Sequence, residues 1–247
     1  MLDGQADAAV HSLKDLPTTT SEGLRLAAVP AREDPRDAFI PAPGRGPRLA
    51  ELPSAARVGT SSLRRRALLL EQRPDLTVDD LRGNVDTRLS RVASGNFDAA
   101  ILAIAGLRRL GRSSVVGEIL QPPVWLPAPG QGALAIITRD DDPATARLVG
   151  VLDDESSRTA TTAERSLLRV LEGGCHVPIG ALAIVHEDRL MLDSFVATPD
   201  GSRCRRGSIS GPAWRAAQLG EDLADALIHD GAGEILREAR ATTSASP

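Results

Sequence analysis

Apolar and polar positions follow one another along this chain in blocks that predict strands and helices by turns. A run of small apolar residues over 6–13, closed by Asp15-Leu16-Pro17, predicts a buried strand, and 24–29 predicts a second. The charged stretch 32–37 reads as a crossing between domains, and 41–47 as a Pro/Gly loop without the lysine or spacing of a phosphate-binding loop. From 55 onward the pattern becomes strand, helix, strand. Arg57-Val58-Gly59 leads to Thr60, Ser61 and Ser62 as candidate caps of a helix through Leu63, Ala67 and Leu70 that ends before Pro74. Residues 77–81 predict the next strand, Arg82-Gly83-Asn84 a turn, and Val85, Leu89 and Val92 the apolar face of another helix. Residues 99–104 form a fully apolar strand, and 106–111 a short basic helical turn. Strands alternating with helices predict a parallel, doubly wound sheet.

The second half is organised around a glycine corner. Residues 127–132 form a second breaker-rich crossing, after which 133–138 is again a strand that returns the chain to its first domain. Acidic clusters at 140–142 and 153–155 flank a short helix and read as a solvated linker. Thr161 and Glu164 have capping-box spacing, with Ala163, Leu167, Val170 and Leu171 on one helical face. Gly173 and Gly174 end that helix and hand Cys175 to a loop that Pro178 stiffens. Hairpin strands follow at 179–185, 190–197 and 206–210, then helices over 213–229 and 233–241, which make a small α+β domain.

Composition narrows the function classes. At 247 residues the chain can bury a good core, and no apolar run approaches the length of a membrane span. Two cysteines make no disulfide framework, which suits a reducing cytoplasm. His11, His176, His186 and His229 lack metal-ligand spacing. A net charge of -4 and five Phe and Trp residues with no Tyr argue against nucleic acid as a partner. Lys14 is the only lysine; all other fixed positive side chains are arginine, the residue suited to bidentate carboxylate recognition.

Those cations fall where an α/β sheet places its ligand. Strand ends carry Lys14 and Asp15, then 60–65, then Arg82 with Arg88 beyond it, then Arg109. A single arginine of this kind can equally lie on a solvated face, yet several strand ends delivering cations to one crevice imply a ligand with several carboxylates or phosphates. Asp15 is the odd group there, either a turn aspartate or a carboxylate that steadies a cation and passes a proton. A free cysteine by itself is more often a small core hydrophobe than a reactive group, but the glycine corner presents Cys175. A cysteine hydrolase pairing Cys175 with His176 is the weaker chemical alternative, because sequence neighbours rarely face each other.

Residues 11–17 (HSLKDLP), 59–65 (GTSSLRR), 81–84 (LRGN) and 172–175 (EGGC) together resemble the porphobilinogen deaminase family, over essentially the whole chain and in the same order. The resemblance implies an α/β protein with two lobes like periplasmic binding proteins and a small α+β C-terminal domain. Residues 1–34 with 131–152 would be the remnant of domain 1, 35–130 domain 2, and 153–247 domain 3. It implies a dipyrromethane cofactor bound to Cys175 through a thioether, acting as primer for four porphobilinogen units, each losing ammonia, to give hydroxymethylbilane. Asp15 matches the catalytic aspartate, and Lys14, Thr60, Ser62, Arg64, Arg65, Arg82, Arg88 and Arg109 match positions that hold acetate and propionate groups. A cytoplasmic monomer without metal, membrane or nucleic acid is implied as well. Family members begin with a further part of the first domain, whereas this sequence starts just ahead of a strand. The expectation is a truncated first lobe, from a misplaced start or a true fragment, whose first strand becomes an exposed edge. The alternative is a dead fragment or a non-catalytic, anion-binding, two-lobed module.

Overall fold

The computed structural model describes residues 1–171 and 177–244. The chain enters β1 (Ala8–Ser12) and β2 (Leu24–Ala28), then crosses to β3 (Asp37–Pro41), β4 (Arg57–Gly59), α1 (Leu63–Gln72) and β5 (Thr77–Asp79). It continues through α2 (Val85–Ala93), β6 (Ala99–Ala103), α3 (Ile104–Arg109) and β7 (Glu118–Leu120), and crosses back into β8 (Leu134–Arg139) and α4 (Pro143–Gly150). Helix α5 (Glu155–Val170) precedes β9 (Ile179–His186), β10 (Arg189–Ala197), β11 (Cys204–Pro212), α6 (Ala216–Leu227) and α7 (Gly233–Ser244).

Three sheets result, in the orders β1-β8-β2, β5-β4-β6-β3-β7 and β11-β10-β9. The expected α/β class holds, but the doubly wound parallel sheet needs correcting. Strand β4 runs parallel to β5 and β6, whereas β3 is antiparallel to both β6 and β7. Sequence pattern missed β3 because it is five residues, begins with an aspartate and ends with a proline, so it reads as the tail of a charged crossing. Its three middle residues Ala38, Phe39 and Ile40 are nonetheless buried in the interior of that sheet, between β6 and β7. In the first sheet β1 pairs only with β8 among the described strands, and Val10 is 62% exposed.

The capping-box reading of Thr161 and Glu164 is also corrected. Helix α5 starts seven residues earlier, where the Asp154 carboxylate accepts from the Ser157 N-H at 2.8 Å. Thr161 therefore lies inside the helix, its hydroxyl donating to the Ser157 carbonyl, while Glu164 is fully buried. The acidic cluster before α5 is structural rather than a solvated linker, since Asp153 accepts from the Val29 N-H at 2.6 Å and from Arg158 at 2.7 Å. Leu167 and Leu171 of this segment pack with Val196, Leu219 and Leu223 in the C-terminal core.

Candidate active site

Strand β1 delivers the site's first pair. Leu13, fully buried, anchors the single helical turn Leu13–Asp15, and its N-H donates to the Ala133 carbonyl at 3.0 Å. Arg165 of α5 reaches across to the carbonyls of Leu13 (3.4 Å), Leu16 (3.3 Å) and Pro17 (2.6 Å). The turn is thus held from both sides, and Lys14 and Asp15 line a cavity of about 680 Å³. Ser62, Arg64 and Arg65 at the start of α1, Arg88 of α2, and Gln131 of the second crossing also line it. Leu168 and Arg169 line it from one side of segment 172–176, and Val177 and Ile179 from the other. Cys175 and His176 themselves lie outside the described residues.

Behind this wall sits a carboxylate that sequence reasoning missed. Asp37, fully buried at the start of β3, accepts through Oδ1 from Arg65 Nε (3.1 Å), Arg65 Nη2 (2.7 Å) and Gln131 Nε2 (2.9 Å). Its Oδ2 takes Arg64 Nη2 (2.8 Å) and the Trp125 indole N-H (2.8 Å). Burial alone would raise its pKa and is the largest influence, but the Arg64 and Arg65 guanidiniums overcome it and hold the carboxyl below the usual range. The only sequence signal was an acid opening an apolar run, Asp37-Ala38-Phe39-Ile40.

This hub changes what Arg64 and Arg65 can offer. Both line the cavity, yet they share one buried counter-ion, so the triad presents a single net positive charge already fixed in place. Arg64 Nη1 donates to the Leu126 carbonyl at 2.7 Å, while its buried Nε has no hydrogen-bond partner among the described residues. Lys14 adds a second cation; burial, and then the neighbouring Arg65, push its pKa down to about 8. Arg88, its pKa also lowered by burial and by Arg65, donates to the Gly83 carbonyl at 2.7 Å.

Six of the nine described candidates therefore converge: Lys14, Asp15, Ser62, Arg64, Arg65 and Arg88. Three do not line the cavity. Thr60 is buried beneath the start of α1, its hydroxyl accepting from the Ser62 N-H at 3.2 Å. Arg82 pairs with Asp80 at 2.9 Å with 83% of its side chain exposed, and Arg109 is exposed at the end of α3. A strand-end position does not fix where a long side chain goes when an acid two residues away can hold it.

Comparison with known proteins decides among the chemistries this cavity allows. Residues 1–147 match the family described as "Porphobilinogen deaminase, dipyromethane cofactor binding domain", and residues 158–229 match "Porphobilinogen deaminase, C-terminal domain". The chain belongs to the porphobilinogen deaminase family. A porphobilinogen deaminase of Pelotomaculum thermopropionicum is 50% identical over 240 residues, which cover 97% of this chain and 76% of the relative. That of Roseiflexus castenholzii is 49% identical over 96% of this chain and 77% of the relative. Among solved structures, an arginine-specific periplasmic binding protein of Salmonella typhimurium aligns over 63% of this chain and 68% of its own, at 14% identity and a TM-score of 0.39.

The activity is accordingly that of porphobilinogen deaminase, or hydroxymethylbilane synthase, with porphobilinogen as substrate, a dipyrromethane cofactor and a role in tetrapyrrole biosynthesis. The cavity fits such a cofactor. Its walls carry an excess of cations for acidic side chains, and the Arg64 Nε-H is a buried donor with no acceptor among the described residues. Among the described residues, no helix is long and apolar enough to cross a membrane.

Proposed function

We propose that this chain joins four porphobilinogen units head to tail, with loss of ammonia from each, onto a dipyrromethane held through a thioether at Cys175, and releases hydroxymethylbilane. It would do so as a cytoplasmic monomer whose lobes are 1–34 with 131–152 and 35–130, and whose third domain is 153–247. The bound dipyrromethane supplies the pyrrole carbon to which units are added. The observation that carries this reading is that Asp15 shares one cavity with Lys14, Arg64, Arg65 and Arg88, and that residues on both sides of segment 172–176 line that same cavity.

Each side chain then has a task. Lys14, Arg64, Arg65 and Arg88 hold the acidic side chains of cofactor and substrate, with Ser62 adding a hydroxyl at the start of α1. Asp37 keeps Arg64 and Arg65 in place before any ligand arrives, so little reorganisation is needed on binding. Asp15 offsets the positive charge that develops on porphobilinogen as ammonia departs, and takes up the proton released when the new carbon-carbon bond has formed. Thr60, Arg82 and Arg109 have supporting parts: Thr60 by holding the cap of α1, the two arginines through the longer-range field. The purified chain, given porphobilinogen, should release one ammonia for each unit consumed and yield a tetrapyrrole. Ligand binding without ammonia release would favour the anion-binding module.

A further inference from the structure

Gln131 stands where the two crossings between lobes meet the cavity wall. It is 1% exposed, and both ends of its amide are engaged. Nε2 donates to the Pro35 carbonyl at 2.7 Å and to Asp37 Oδ1 at 2.9 Å, while Oε1 receives Lys14 Nζ and Arg65 Nη2, each at 3.4 Å. No other orientation works. Pro35 and Asp37 offer only acceptors and the two cations only donors, so a flipped amide would oppose all four partners.

The surroundings make this more than a buried polar contact. Pro35 lies in the first crossing and Gln131 in the second, and the two segments are laced by Arg32 Nε to the Gln131 carbonyl (2.9 Å) and Glu33 N-H to the Gly132 carbonyl (3.1 Å). They touch closely enough that a Cβ on Gly132, whose φ is +85°, would stand 2.4 Å from the Glu33 carbonyl oxygen. Any rotation of one lobe against the other has to be taken up in these paired segments. One side chain is therefore tied to Pro35 in the first crossing, to Asp37 at the start of β3 and to two cations of the cleft.

We infer that Gln131 is a positioning residue that transmits the hinge angle to Lys14 and Arg65, keeping the cleft cations in register with the growing chain as lobes move between additions. This rests on the functional reading above. Gln131 need not touch the reacting atoms; it sets where two carboxylate-binding groups stand at each step. A carboxylate at this position keeps the acceptor toward Lys14 and Arg65 but cannot donate to Pro35 or Asp37. An asparagine keeps the amide but is one methylene too short to span both sides.

The test uses the full chain with Gln131→Glu, Gln131→Asn and Gln131→Met, reading covalent cofactor mass, melting temperature, kcat against KM, and partially elongated species by mass spectrometry. The expected result is cofactor-loaded, folded variants whose kcat falls on the order of ten- to a hundredfold with little change in KM. Defined intermediates should accumulate in each. Unchanged turnover would overturn the inference, as would uniform slowing that follows melting temperature with no intermediate. Failure of all three to fold would also overturn it, because the amide would then be a folding requirement alone. An inactive parent chain without cofactor mass would instead overturn the functional reading, and this inference with it.

Discussion

The Glu164 carboxylate receives the Arg32 guanidinium as a fork, 2.7 Å from Nη1 to Oε1 and 3.1 Å from Nη2 to Oε2. Its remaining lone pairs accept the Gly130 N-H at 2.7 Å and the Ala183 N-H at 2.8 Å. One buried side chain of α5 thus binds the first crossing, the second crossing and strand β9. Glu164→Gln would leave Arg32 without a counter-charge and turn an amide NH2 toward groups that are themselves donors. The expected loss is about 3 to 5 kcal/mol, read by denaturant unfolding. A change below about 1 kcal/mol would mean the fork is no better than a surface pair.

Lys14 gives a pH-dependent prediction. Its folded pKa of about 8 lies below the ordinary 10.5, so between those values the unfolded chain holds the proton more firmly and stability rises with pH. Below pH 8 the buried charge costs the apo protein up to ~3 kcal/mol, less whatever solvent access relieves. Lys14→Gln should therefore stabilise the cofactor-free chain at pH 7, with the advantage fading as pH climbs through that window. Cys204→Ser is the right background, because burial pushes that thiol up to about 11 and its titration acts with the opposite sign. An advantage that stays constant with pH would refute the assignment.

Much of this architecture could be read before any coordinates. The helix cap at Ser62, the turn at 82–84, the breaker-rich crossings and the hairpins of the C-terminal sheet all follow from local chemistry that needs no tertiary partner. The Lys14-Asp15 turn was legible for the same reason. What escaped was set by distant partners. Asp37 looks like the end of a charged linker until Arg64, Arg65, Trp125 and Gln131 are brought around it from 27 to 94 residues away. Arg82 looked like a cleft cation until Asp80 proved nearer. Glu164 looked like a cap because spacing alone cannot tell a helix start from its middle.

Arg88 and Arg82 should separate on mutation. Arg88 lines the cavity and Arg82 does not, so Arg88→Leu should stall elongation at particular partial chains, while Arg82→Leu should slow all steps mildly. Mass spectra of reaction mixtures check this. Equal patterns for the two variants would remove the distinction drawn from the cavity wall.

Asp15→Asn should leave the cofactor attached, since an amide still bonds to pyrrole N-H groups. It should cut turnover by at least a hundredfold, about 2.7 kcal/mol of transition-state stabilisation, because an amide cannot offset a cation. Steady-state rates decide the matter. Unchanged turnover would return Asp15 to the status of a turn residue.

The central claim is that this chain carries a covalent dipyrromethane on Cys175 and extends it with porphobilinogen. Intact-mass spectrometry of the purified protein tests it most directly, with Cys175→Ser and Cys204→Ser alongside. The predicted result is a single dipyrromethane adduct on the parent and on Cys204→Ser, absent from Cys175→Ser, with further mass steps when porphobilinogen is added. An unmodified parent mass, or an adduct that survives in Cys175→Ser, would contradict it.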